Sequence, residues 1–302
     1  MSVVSNLLYL LVVLALGIAG RRVGLLTESW RDRLTAVAFY VALPALVFGS
    51  TAGRNLAEVL EPRLVVGFWA VLVVVAAVGW VVHRNESSPA VRSVAVVQSY
   101  HCNLGFLGLP ITAAAFGGVV TAKASLLLGV GALTQVPLTL GVFAFLTDAD
   151  AALGEELRGL LTNPVLLALG AGLGCAAFDV TVPATVSTAL GVVADLALPA
   201  ALLAIGASLS LAGTLPDRST VGAVLLVKLV VMPVVALVTF RTLAADPSTT
   251  RAGVLMLAMP TAVSTFVYAS ELGGDADLAS ANVFLTTVAS VGTILLVVQV
   301  VG

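Results

Sequence analysis

Long apolar runs separated by short polar turns dominate this chain of 302 residues. A helix needs about 20 mainly apolar residues to cross a bilayer, and windows of that length predict ten such helices. The predicted segments are 2–20, 34–51, 64–82, 90–116, 124–146, 163–178, 184–211, 221–240, 252–272 and 279–301. The polar connection 147–162 separates two halves of five helices, 1–146 and 163–302. The pattern therefore predicts an all-α membrane protein with ten transmembrane helices.

The fourth segment is interrupted by the sequence Asn-Leu-Gly-Phe-Leu-Gly-Leu-Pro, which runs from Asn103 to Pro110. Backbone without helical hydrogen bonds survives at membrane depth only where protein or a water-filled cavity satisfies it. A helix broken in this way predicts a binding site inside the membrane.

Proline and glycine signals recur in the two halves at nearly the same spacing. The matched residues are Leu43-Pro44 and Leu198-Pro199, Pro110 and Pro260, and Gly117-Gly118 and Gly273-Gly274. Prolines are common in membrane helices, but three matched features favour a repeat, in which Pro44 and Pro199 have structural roles. Because each half has an odd number of helices, the second half enters the membrane from the opposite side. Such inverted repeats are typical of secondary transporters and would bring the two broken helices together near the membrane midplane.

Composition supports a membrane setting. The chain is 60% hydrophobic and only 10% charged, with a mean hydropathy of +1.12, whereas soluble domains carry roughly 25% charged residues. The net charge of -2 comes without a basic block, which argues against a nucleic-acid partner. The two cysteines, Cys102 and Cys175, fit neither a disulfide framework nor a zinc pattern. We expect no cofactor and no metal ion.

The distribution of basic residues predicts the orientation. Connections after odd-numbered helices carry Arg21, Arg22, Arg31, Arg33, Arg84, Arg92, Arg158 and Arg218, while the other side carries Arg54, Arg63, Lys123, Arg241 and Arg251. The larger set is expected in the cytoplasm, which places both termini outside.

The two breaks suggest the chemistry of the ligand. Proline is well tolerated at the start of a helix, so Pro110 and Pro260 are expected to begin second half-helices. Such ends carry about half a positive charge and unpaired N–H groups, which suit a carboxylate or phosphate. The predicted substrate-binding residues are Asn103, Gly105, Phe106, Gly108, Pro110, Gln135, Pro260, Thr261, Val263 and Ser264. Alternatively, the hydroxyls of Thr261 and Ser264 could bond to their own helix.

Few ionisable residues lie inside the predicted helices, where they are costly and often functional. Lys228 could compensate a bound anion or change its protonation state, or its long stem could reach an interface. Asp195 could pair with Lys228, carry a proton or cap its helix. His101 precedes the break and titrates near neutral pH, but it could equally be a packing residue.

The broken segment resembles a known family. Asn103, Gly105, Gly108 and Pro110 match the Asn-x-Gly-x-x-Gly-x-Pro pattern of the auxin efflux carrier family, which includes plant auxin exporters and bacterial malate or malonate permeases. Further likenesses lie at Pro260 in Met-Pro-Thr-Ala-Val-Ser, at Ala-Ser-Glu-Leu-Gly-Gly-Asp (269–275), at Lys228 with Pro233, and at Ile-Gly-Ala-Ser-Leu (205–209).

The resemblance covers essentially the whole chain and implies the fold of bile-acid transporters and sodium/proton antiporters, in which broken helices four and nine cross. Helices one, two, six and seven would form a scaffold and a homodimer interface, and helices three to five and eight to ten a transport unit that moves as an elevator. The chain lacks the long hydrophilic loop of the plant carriers and an intramembrane cluster of carboxylates for sodium. Proton coupling, or export driven by the membrane potential alone, is therefore expected.

These observations predict a secondary transporter that exports a small organic anion, such as an auxin-like monocarboxylate, across the cytoplasmic membrane. Its expected partners are that anion, the lipid bilayer and a second copy of the chain. An anion channel or a substrate-sensing receptor on the same fold is the alternative. The sequence carries neither a His-Glu-x-x-His nor a Gly-x-Ser-x-Gly motif, so no enzyme is expected.

Overall fold

The computed structural model describes residues 3–149, 153–208 and 217–302, which fold into thirteen helices. These are α1 Val3–Arg22, α2 Glu28–Thr51, α3 Leu56–Val82, α4 Pro89–Tyr100, α5 Leu104–Ala115, α6 Gly118–Thr147, α7 Leu153–Leu161, α8 Pro164–Ala177, α9 Ala184–Ser208, α10 Arg218–Thr242, α11 Pro247–Leu257, α12 Ser264–Glu271 and α13 Ala276–Val301. The predicted first residue of segment one, part of the connection 147–162 and the predicted end of segment seven at 211 lie outside the described residues.

Six helices in this part of the chain are long and apolar enough to cross a membrane: α2, α3, α6, α9, α10 and α13. A seventh span results if α7 and α8, bent by 47°, count together. The fourth and ninth predicted segments each form two shorter helices, α4 with α5 and α11 with α12. The described residues therefore form an all-helical, multi-pass membrane protein, as the apolar pattern predicts.

Several helices begin earlier than their apolar runs, among them α2, α3, α6 and α11. The predicted start of the second segment at residue 34 is wrong, because the Thr27 side chain accepts a hydrogen bond from Trp30 N and starts α2 at Glu28. The third predicted start, at residue 64, is also late, since Asn55 caps the first turn of α3 through Ala57 N at 3.0 Å. Capping side chains satisfy the first N–H groups of a helix, so they set its start independently of hydropathy.

Small residues bring some helices into close contact. Helix α1 lies along α9, where Gly17 and Gly206 meet: a Cβ atom on Gly206 would lie 2.5 Å from Leu14 O and 2.9 Å from Gly17 Cα. Helix α8 lies along α2, while α10 packs against α3 and α11. Such small-residue contacts are a usual way for membrane helices to approach closely.

Three helices contain a π-helical turn just before a proline. The turns Ala38–Ala42, Leu104–Gly108 and Val227–Val231 each end two residues before Pro44, Pro110 or Pro233. Proline has no N–H and clashes with the carbonyl one turn earlier, and the wider π turn accommodates both effects without ending the helix. π turns are frequent at functional sites, and two of these three contain or adjoin residues of the site described below.

Candidate functional site

The two helix breaks lie against each other. Between α4 and α5 and between α11 and α12, Cys102 and Thr261 form an isolated antiparallel bridge. Asn103 N donates to Pro260 O at 2.9 Å, and Ala262 N donates to His101 O at 3.3 Å. Backbone groups of each break that lack helical partners are thus hydrogen-bonded by the other break. Irregular backbone inside a membrane requires such partners.

The prediction that the second half-helices begin at the prolines is wrong for Pro260 and right only in part for Pro110. The regular α-helical part of α5 begins at Leu109 with Pro110 in its first turn, but a π turn from Leu104 precedes it. Helix α5 begins at Leu104, because Asn103 Oδ1 accepts from Phe106 N at 3.2 Å and Asn103 O accepts from Gly108 N at 2.9 Å. Helix α12 begins at Ser264. Pro110 therefore lies inside α5, and Pro260 lies in the extended break, where its carbonyl accepts the bond from Asn103.

A cavity of about 330 Å³ adjoins the two paired breaks. Its lining residues are His101, Cys102, Asn103, Leu104, Gly105, Phe106, Leu128, Gly131, Ala132, Gln135, Val136, Ala262, Val263 and Ser264. The first turn of α5 and the start of α12 both contribute, so two helix N-termini reach the same space. Six of the ten predicted substrate-binding residues line it: Asn103, Gly105, Phe106, Gln135, Val263 and Ser264.

The side-chain nitrogen of Asn103 is a buried hydrogen-bond donor without a described partner. The side chain is 4% exposed, and while Oδ1 caps α5, Nδ2 has no hydrogen-bond partner among the residues that the structure describes. The hydroxyl of Thr261, on the opposite strand of the bridge, is likewise buried without a described partner. Unpaired buried polar groups are costly, so a donor of this kind beside a cavity favours a ligand with acceptor atoms.

Helix α6 fixes the break from one side. Gln135 Oε1 accepts from Cys102 N at 2.6 Å, and Thr139 Oγ1 lies 2.8 Å from His101 Nδ1 and 3.2 Å from Tyr100 Oη. These side chains are all buried. The structure gives Gln135 a partner in the break before Asn103, and His101 has the hydrogen bond of a packing residue.

Lys228 lies in the π turn of α10 and is fully buried. Its Nζ lies 3.1 Å from Tyr100 O, 2.9 Å from Cys102 Sγ and 3.2 Å from Met232 Sδ. The interpretation that its stem reaches an interface is therefore wrong. Pairing with Asp195 is also wrong, because Asp195 is exposed at a turn within α9 and lines different cavities.

The remaining predicted residues lie away from this cavity. A Cβ on Gly108 would lie 2.9 Å from Met256 Sδ, so this glycine permits close packing of α5 on α11 rather than approach of a ligand. Pro110, Asp195 and Pro199 line a second cavity of about 230 Å³ between α5 and α9. Pro44 follows the π turn of α2.

The second cavity is part of a longer crevice. It shares Leu46, Ala113, Ala194 and Asp195 with a space of about 360 Å³. That space shares Arg54 and Ser187 with a further one of about 780 Å³ at the ends of α2 and α8. The crevice thus leads from the connections after α2 and α8 to the middle of α5 and α9.

Sequence reasoning missed several residues around the break. Thr139 and Phe39 gave no signal, since a threonine or phenylalanine in an apolar helix is ordinary. Phe39, in the π turn of α2, stacks on Phe106 with ring centroids 6.3 Å apart. Cys102 could have been singled out by its position next to Asn103.

A buried polar network ties α4 to α12 and α13. Gln98 Nε2 donates to Thr265 Oγ1 at 2.9 Å and to Ala279 O at 3.0 Å, and Asn282 Nδ2 donates to Gln98 Oε1 at 2.8 Å. No group of three or more His, Cys, Asp or Glu side chains forms a candidate metal site within the described ranges.

Comparison with known proteins gives the family. A family model described as "Membrane transport protein" matches residues 2–155 and 151–298. The chain belongs to this family. Membership in this transport family confirms the resemblance to auxin efflux carriers. A protein of Rhizobium meliloti (strain 1021) named "Putative malonate transporter" is similar, with 25% identity over 270 residues, covering 86% of this chain and 84% of that protein. The family is one of membrane transporters rather than an enzyme class.

Proposed function

We propose that this protein is a secondary transporter that binds a small organic carboxylate in the cavity beside the crossed breaks and exports it across the cytoplasmic membrane. The observation that carries the proposal is the buried Nδ2 of Asn103, which has no described partner and belongs to a residue that lines that cavity. The name of the similar Rhizobium protein favours a carboxylate of the size of malonate.

The geometry of the cavity supports an anion. The N-termini of α5 and α12 both border it, and each helix N-terminus carries about half a positive charge. Its volume of about 330 Å³ lies at the lower end of ordinary ligand pockets. In this proposal Asn103 donates to a carboxylate oxygen, while Phe106 and Val263 contact the apolar part of the ligand.

The proposed movement is an elevator. Helices α1, α2, α8 and α9 form the scaffold and the homodimer interface, and α3 to α6 with α10 to α13 form the transport unit, from two inverted repeats (1–146 and 163–302). The crevice between α2, α9 and α5 supports this division, since it follows the proposed boundary between the two units. The stack of Phe39 on Phe106 crosses the same boundary and would separate during movement.

The proposed direction follows from charge. With both termini outside and an inside-negative potential, outward movement of one net negative charge is favoured by roughly 2.3 kcal/mol per 100 mV. Export therefore needs no coupled sodium ion.

The test is charge movement in proteoliposomes adsorbed to a solid support, challenged with malonate, malate or indole acetate. Saturable transient currents that are lost in Asn103→Ala support the proposal. Asn163→Ala is the matched control, because Asn163 also caps a helix through Oδ1, at Val165 N and Leu166 N, but does not line the cavity. Sustained, non-saturating currents would indicate a channel, and currents unchanged in Asn103→Ala would remove Asn103 from the site.

A further inference from the structure

The chain has two lysines, both buried, and they differ in their partners. Lys123, in α6, is 3% exposed and donates to Asp246 Oδ2 at 3.0 Å and to the hydroxyls of Ser248 and Thr249 at 2.7 Å each. Burial raises the pKa of Asp246, but hydrogen bonds from Ser248, Thr249 and Lys123 outweigh it and hold that pKa well below its usual range. Lys123 thus carries a compensated positive charge.

Among the residues that the structure describes, the amine of Lys228 contacts a carbonyl oxygen and two sulfur atoms and no carboxylate. The three atoms around Nζ are the carbonyl oxygen of Tyr100, the sulfur of Cys102 and the sulfur of Met232. Within the described ranges no carboxylate forms an ion pair with it. An ammonium group that is buried without an opposite charge is very costly, and such groups usually lose their proton. These neighbours therefore favour a neutral amine.

The helices that contact this π turn bring no hidden counter-charge. They are α3, α4 and α13. Their ionisable side chains are Glu58, Glu61 and Arg63 in the first turns of α3, Arg92 and Tyr100 in α4, and Asp277 in the first turn of α13. The break adds His101 and Cys102. Of the groups named here, Tyr100 and Cys102 contact Lys228 Nζ, through the Tyr100 carbonyl oxygen and the Cys102 sulfur, and neither is a carboxylate.

The amine is one side chain away from the cavity. Cys102 lines the cavity and its sulfur lies 2.9 Å from Lys228 Nζ. In surroundings of low dielectric, an ammonium group and an anion attract each other strongly even when one side chain lies between them. An anion in the cavity would therefore supply the charge partner that Lys228 lacks.

We propose that Lys228 takes up one proton from solution when a small dicarboxylate such as malonate enters the cavity, so that anion and proton bind together and one net negative charge remains. The neutral amine forms one new N–H bond and becomes an ammonium group, and no bond of the protein or the ligand breaks. The inference rests on the proposed function, because it needs the anion at this cavity. By linkage the effect is reciprocal: where the amine starts neutral, the affinity for the anion falls about tenfold for each unit of increasing pH.

The test is calorimetric titration of the purified protein with malonate in two buffers that differ in ionisation enthalpy. The difference between the two observed heats gives the number of protons taken up. We expect about one proton for the wild type and for Lys123→Arg, the matched control with its ion pair retained. We expect none for Lys228→Met, with weaker binding, and none for Lys228→Arg, because arginine is always charged.

The outcomes separate the inference from the proposed function. Binding by the wild type without proton uptake overturns the inference alone. Uptake that persists in Lys228→Met or Lys228→Arg also overturns it, because the proton then resides on the ligand or on another group. If neither variant binds, His101→Gln decides: retained uptake there supports Lys228, and lost uptake assigns the proton to His101. Absence of malonate binding in the wild type removes the proposed function and the inference with it.

Discussion

Asn103 donates its backbone N–H to the carbonyl oxygen of Pro260 at 2.9 Å, and its side chain caps α5 from the same position. One residue therefore joins the two broken segments and starts the helix that borders the cavity. Its Nδ2 takes part in neither hydrogen bond and has no partner among the described residues. This division of roles means that substitutions around the break have separable effects on stability and on binding.

Gln135 supports the break rather than the ligand. Replacing Gln135 with Leu removes the acceptor for Cys102 N, which lies 2.6 Å from Oε1, and leaves a buried N–H group unpaired. The expected loss of stability is about 1 to 3 kcal/mol, measured as a lower thermal unfolding midpoint of the purified protein. Gln299→Leu, at an exposed position near the end of α13, should leave the midpoint unchanged. An equal loss in both variants would contradict a specific role for this bond.

Gly131 keeps the cavity open. A Cβ at this position would lie 2.1 Å from Leu104 Cδ1 and 3.0 Å from Gln135 Nε2, so Gly131→Ala must displace side chains that line the cavity. We expect malonate affinity to fall about tenfold or more, which corresponds to about 1.4 kcal/mol. Gly141→Ala in the same helix meets nothing within 4 Å and is the control. Unchanged affinity in Gly131→Ala would place the ligand elsewhere.

The contact of α1 with α9 depends on glycine. In Gly206→Ala the new Cβ would meet backbone atoms, Leu14 O at 2.5 Å and Gly17 Cα at 2.9 Å, which cannot rotate away. Overpacking of this kind costs about 1 to 3 kcal/mol, visible as a lower unfolding midpoint. Gly191→Ala, in the same helix with open space around it, should be neutral or stabilising by about 0.5 to 1 kcal/mol. Similar midpoints for both would show that α1 and α9 are loosely packed.

His83, just after α3, makes stability depend on pH. In the folded protein, burial lowers the pKa of His83, and nearby Glu86 offsets part of this effect. In the unfolded chain a histidine has a pKa of about 6.5. The unfolded chain therefore binds this proton more readily, and the stability due to neutral His83 is present above about pH 6.5 and is lost as pH falls below it.

The measurement is thermal unfolding at about pH 7.5 and about pH 5.5, on either side of the ordinary histidine range. The midpoint of the wild type should decrease more between these two values than that of His83→Gln. Comparing the two decreases cancels contributions from other groups. Asp246 adds little between these values, because the stability from its lowered pKa is lost only below about pH 5. Equal decreases in both proteins would assign the pH dependence to those other groups.

The apolar pattern predicted the helices well because crossing a membrane requires a long apolar run, and a run is visible within one window of sequence. It failed where a single capping hydrogen bond determines the first residue of a helix. The start of α5 depends on the side chain of Asn103, not on Pro110, and the start of α2 depends on Thr27. Both cues are local but have no hydropathy signature.

Long-range partners were less predictable. The sequence identified Lys228 as an unusual intramembrane residue, but its neighbours Tyr100 and Cys102 lie 128 and 126 positions away. Asp195 was a reasonable candidate on charge alone. In the structure the neighbours of Lys228 Nζ are uncharged atoms of Tyr100 and Cys102 instead. Spacing within one helix cannot predict such long-range contacts.

The burial of both lysines has a practical consequence for handling the protein. With Lys123 3% exposed and Lys228 fully buried, amine-directed labels and cross-linkers find no lysine at the surface of the folded molecule. Lysine modification becomes a reporter of unfolding, and immobilisation or fluorescent tagging of the native protein has to use another chemistry.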